Sequence, residues 1–151
     1  MTAKEYLQQV KQKKAIIKNL RRDKESVTEM LYSLGGSGEG ERVQSSRNMD
    51  KFGTLYGRID EMQRKIDEEL ASLVEFELIV SAKINGLNNE KNIEVLHRRY
   101  IRFQSWEVIA DDMNYSVRYI LRLHGLALEE FRLRYEEELG LEKADGKKED
   151  A

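Results

Sequence analysis

The chain has 151 residues, 40% apolar and 36% charged, with no proline, no cysteine and a formal net charge of −2. That length suits one ordinary domain or two small helical modules. The missing cysteines exclude disulfides and thiolate metal sites, and no stretch approaches the roughly 18–20 apolar residues needed to span a bilayer.

With no proline to remove a backbone donor, and with Glu, Lys, Arg, Leu and Ile abundant, the composition predicts an all-α protein built from long helices. The segment from Met1 to Lys14 lacks the apolar run of a signal peptide, so a cytoplasmic location is expected. The near-neutral total hides an uneven distribution. Residues 1–34 are net +4, 35–90 net −4, 91–134 net +2 and 135–151 net −4, so an acidic end masks a basic segment before it.

From Tyr6 the apolar positions Tyr6, Val10, Ile17, Leu20, Val27, Leu31 and Leu34 follow alternating four-three spacing, with Lys13 and Lys24 in the remaining slots. This is a heptad seam. The glycines of Gly35–Gly40 end that helix, and a loop over 35–51 leads to Asp50 as the expected N-cap of the next. The spacing resumes at Phe52, Leu55, Ile59, Met62, Ile66, Leu73, Phe76, Val80 and Leu87, interrupted by Glu69 and Lys83. Two matched seams joined by a loop predict a long antiparallel helical hairpin over 1–87; pairing of the seams between two chains, giving a homodimer, is the alternative.

Gly86, Asn88 and Asn89 mark a boundary to a second module, 88–135, expected to be separable and to fold marginally by itself. Residues 136–151 are expected to form an acidic, largely disordered tail.

Within 88–135 three short helices are predicted. Ile93, Leu96 and Tyr100 stripe the first; Ser105 caps a second that buries Trp106, Ile109, Ala110 and Met113; after a turn at Asn114-Tyr115, Ser116 caps a third with Ile120, Leu123, Ala127 and Leu128 inward. This is the layout of a helix-turn-helix, in which the small Ala110 permits close helix crossing and Asn114 tolerates left-handed backbone.

The outward positions Ser116, Val117, Arg118, Tyr119 and Arg122 would then face DNA, where arginine can bond guanine edges and serine or tyrosine can reach phosphates. Arg98, Arg99 and Arg102 form a basic cluster on the preceding helix, suited to phosphate contact. No catalytic, metal or cofactor site is expected. His97 and His124 are far apart in sequence, no carboxylate forms a metal motif with either, and the glycine run lacks a phosphate-loop ending. His124 and Trp106 are read as packed residues.

The stretch from Tyr100 to Phe131 resembles region four of bacterial sigma factors, the promoter-reading module in which a Ser-Trp-Glu-x-Ile-Ala helix precedes a Ser-capped recognition helix. More broadly, residues 5 to 134 resemble the phage and prophage late transcription regulators of the ArpU/RinA type. The resemblance rests on Arg42-Val43-Gln44-Ser45-Ser46 with Asp50-Lys51, and on Tyr115-Ser116, Arg118, Ile120, Arg122, Leu123-His124-Gly125 and Ala127-Leu128. It implies a coiled coil followed by a DNA-reading helix-turn-helix, with promoter or operator DNA and host RNA polymerase as partners. Val117 departs from the polar or basic residue frequent in that family. Nothing resembles the sigma region that melts promoters. Two other readings are a small-terminase-like DNA-packaging factor and a purely structural coiled-coil protein.

Overall fold

A computed structural model of the chain describes residues 1–35 and 46–145. Among the described residues the protein is all-α, as the proline-free, Glu-, Lys- and Leu-rich composition predicts. The helices are α1 (Ala3–Gly35), α2 (Ser46–Asn85), α3 (Glu90–Leu96), α4 (Trp106–Met113) and α5 (Val117–Leu139). A π-helix, His97–Ile101, continues directly from α3. An isolated bridge pairs Thr2 with Glu142.

The chain divides into two compact units, one of Lys13–Leu73 and one of Met1–Gln12 with everything from Val74 onward. In the first, the helices meet along a narrow seam. Ile17, Ile66 and Leu73 are buried, while Leu20, Val27, Leu31, Phe52, Leu55, Ile59 and Met62 are half-buried. The contacts run in opposite senses along the two helices: Lys24 Nζ donates to Gln63, whereas Leu31 and Tyr32 line a groove with Phe52 and Tyr56. Lys24, a polar break in the seam, is thus matched by an amide, which also donates from Nε2 to Asp67 at 2.8 Å.

In the other unit α1 and α2 bury a wider arc. Leu7 and Ile84 lie off the seam yet are fully buried, beside the seam residues Tyr6, Val10, Val80 and Leu87. A helix needs an arc of that width when it faces a multi-helix core. Val95 and Leu96 of α3, Ile109 and Ala110 of α4, and Ile120, Leu123, Ala127 and Phe131 of α5 complete that core. The Tyr6 ring lies 5.6 Å from Phe76 and 6.0 Å from Phe131.

Two polar clamps attach α5 to the chain on either side of the α2–α3 turn. The Tyr135 hydroxyl donates to the Lys83 carbonyl at 2.6 Å, while the Lys83 ammonium sits 4.7 Å above the Tyr135 ring and pairs with Glu138. The Glu130 carboxylate accepts from Asn88 N at 2.7 Å, Asn89 N at 3.3 Å and the Asn92 amide. Burial pushes the Glu130 carboxyl up, but these donors outweigh it and hold it below the usual glutamate range.

Three boundaries differ from the sequence-based expectation. The compact units do not divide between 87 and 88, because Tyr6 and Lys83 pack against α5. α2 begins at Ser46, so Asp50 lies inside it and its carbonyl accepts from Thr54 Oγ1; nothing from Ser46 to Asp50 breaks a helix. α5 runs past residue 135 to Leu139, where Gly140 caps it at φ 62°. Leu141 is then buried, and Glu142 N donates to the Met1 carbonyl at 2.9 Å. Arg42 to Ser45 of the loop motif, and residues 146–151, lie outside the described residues.

Candidate nucleic-acid interface

The segment from Ser105 to Leu128 folds from its caps. Ser105 Oγ accepts from Val108 N and opens α4, and Asn114 closes it in left-handed backbone at φ 58°, ψ 44°. Ser116 Oγ accepts from Tyr119 N at 3.1 Å and opens α5. A left-handed asparagine is among the few non-glycine residues this geometry suits. Ala110 is 3% exposed beside fully buried Ile109 and Ile120. A larger side chain at 110 would push the two helices apart.

α5 consequently presents Ser116, Val117, Arg118, Tyr119 and Arg122 to solvent, while Ile120, Leu123 and Ala127 face inward. The Tyr115 and Tyr119 rings pack 4.5 Å apart at the start of this exposed face.

The three arginines of the preceding segment differ in what they touch, although Arg98 and Arg99 both reach Gln104. Arg98 pairs with Glu94 at 3.0 Å and Asp112 at 2.8 Å, and its side chain is 16% exposed. Arg99 donates to the Gln104 carbonyl at 3.0 Å and lies with its guanidinium 4.1 Å from the Trp106 ring centroid. Arg102 is exposed. Arg98 and Arg99 lie within the π-helix, whose wider turn brings Arg102 N onto the His97 carbonyl at 3.0 Å. Phe103 follows at φ 55°, a strained conformation for an aromatic residue.

His124 is 8% exposed, with Nε2 2.7 Å from the Tyr100 hydroxyl and its ring edge-on to Trp106 at 4.6 Å. It is a packed histidine. His97 Nε2 lies 2.8 Å from Asn85 Oδ1, and burial lowers the tendency of His97 to protonate, with Arg102 acting in the same sense.

Sequence reasoning passed over Lys91, which sits in the first turn of α3 with its ammonium 5.3 Å from the Tyr115 centroid. Tyr115 belongs to the turn before α5, so neither its packing on Tyr119 nor the approach of Lys91 from α3 follows from helical spacing. Among the described residues no group of His, Asp and Glu is arranged to hold a metal, and no helix is long and apolar enough to cross a membrane. Comparison with protein-family models, curated proteins and solved structures gives no match.

Proposed function

We propose that the chain binds double-stranded DNA in the major groove through the first turns of α5 and regulates transcription of phage or prophage genes in the cytoplasm of a bacterial host. The observation that carries this reading is the alternation on α5: Arg118, Tyr119 and Arg122 exposed, Ile120, Leu123 and Ala127 buried, behind a left-handed turn at Asn114. A helix held this way offers arginines to base edges without unpacking the core. The sequence resemblance supplies the regulatory part of the proposal, with host RNA polymerase and a second copy of the chain as proposed partners.

Selection of bound duplexes from a random pool, followed by titration of the full chain onto the selected duplex, tests it. Arg118→Ala and Arg122→Ala are each expected to weaken specific binding by about 1–3 kcal/mol while unfolding as the parent does. Unchanged affinity in both variants removes base reading from α5. A many-membered ring in sedimentation would point to DNA packaging instead.

A further inference from the structure

Lys91 occupies a place that its own helix does not favour. It lies in the first turn of α3, where the positive end of the helix dipole repels a cation. Its backbone N–H is satisfied by Asn89 Oδ1 at 3.0 Å, so the side chain plays no part in capping. Glu94, one turn further on, is engaged by Arg98 at 3.0 Å. The ammonium instead approaches the Tyr115 ring, which is itself packed 4.5 Å from Tyr119.

Hydrogen bonding to Tyr115, and to Tyr119 beside it, favours the charged form of Lys91. The ammonium thus faces tyrosine side chains rather than a carboxylate. An ammonium and two O–H groups together make a set of donors with a net positive charge. Its chemical complement is an anion with several acceptor oxygens.

We propose, resting on the DNA reading above, that Lys91, Tyr115 and Tyr119 form a site for one backbone phosphodiester of the DNA engaged by α5. Tyr119 and Arg122 are three residues apart on α5, and Arg118 and Arg122 four, so the set is continuous with the exposed arginines. Lys91 belongs to a different helix, and a phosphate bound there would hold α3 and the start of α5 to the same strand. Such a contact positions the reading helix and is indifferent to sequence.

The full chain is titrated onto a duplex of random sequence and onto a selected duplex, over a series of salt concentrations. Lys91→Ala is expected to flatten log K against log salt by about 0.9 on both duplexes and to leave the ratio of the two affinities unchanged. Lys91→Arg is expected to restore the slope, and Tyr115→Phe with Tyr119→Phe to weaken both affinities together.

An unchanged slope in Lys91→Ala, in a chain whose selected-duplex binding still falls with Arg118→Ala, overturns this site and leaves the α5 reading standing. Salt-independent or absent binding of the parent overturns both. Inorganic phosphate replacing chloride at equal ionic strength is expected to weaken DNA binding by the parent more than by Lys91→Ala, because the free anion competes with the backbone phosphate for the same donors; equal weakening in the two chains overturns the site.

Discussion

The Tyr135 hydroxyl lies 2.5 Å from the point a Cβ on Gly86 would occupy, and it donates to the Lys83 carbonyl three residues before that glycine. Gly86 is therefore more than a helix stop; its missing side chain is the space through which α5 reaches α2. Gly86→Ala is expected to destabilise the chain by about 1–3 kcal/mol, as overpacking does. Tyr135→Phe alone loses about 0.5–1.5 kcal/mol. Because Tyr135→Phe removes the clashing oxygen, urea unfolding of the double variant should show a smaller loss than the two singles together.

Arg98 and Arg102 should separate in experiment although they are four residues apart. Arg98→Ala breaks pairs with Glu94 and Asp112, both about half-exposed, so a loss of about 1 kcal/mol is expected after solvent screening. Arg102→Ala leaves stability within about 0.5 kcal/mol. If Arg102 touches phosphate, its removal lowers the salt slope of DNA binding by about 0.9, and thermal melts with salt-series titrations read both effects.

Asn114 is held at φ 58°, where a β-carbon without a compensating polar group is disfavoured. Asn114→Ala should lose about 1 kcal/mol and Asn114→Gly should be near neutral. Equal stabilities for the two variants by chemical denaturation would show that the turn relaxes out of the left-handed region.

Glu130 links stability to pH. Its folded carboxyl is held below the usual range, with the opposing push of burial outweighed by bonds from Asn92, Asn88 and Asn89. A depressed folded pKa means that its stabilisation is complete above the unfolded value, about 4.3, and is lost as pH falls through the lower folded value. Denaturation measured from neutral pH downward should therefore show an acid-dependent loss in the parent that is smaller in Glu130→Gln.

The fragment from Asn88 to Tyr135 is expected not to unfold cooperatively. It lacks Tyr6, Leu7, Val10, Val80 and Ile84, all buried in the same unit as fully buried Phe131. In the full chain Phe131→Ala should lose about 3–5 kcal/mol. A cooperative urea transition for the isolated fragment would show that these residues are dispensable to the reader.

Much of the architecture was legible in the sequence because it is carried by local rules. Seam spacing located α1 and α2, and Ser105, Asn114 and Ser116 located the turn between α4 and α5, since caps and left-handed turns act over three or four residues. The exposed set Arg118, Tyr119 and Arg122 followed from the same helical period. The surroundings of Arg98 and Arg99 did not, because Asp112, Gln104 and Trp106, which engage them, lie in other elements and are brought in by packing.

Composition and periodicity by themselves determined an all-α chain, its main helices and the outward face of α5, for each depends on neighbours close in sequence. Tertiary structure alone decided that Tyr6 packs on Phe131, that Gly86 makes room for Tyr135, that Glu130 ties down the turn before α3, and that Lys91 stands over Tyr115. Those pairings join residues 24 to 125 positions apart, and which partners meet at such separations is set by how helices pack rather than by the residues on either side.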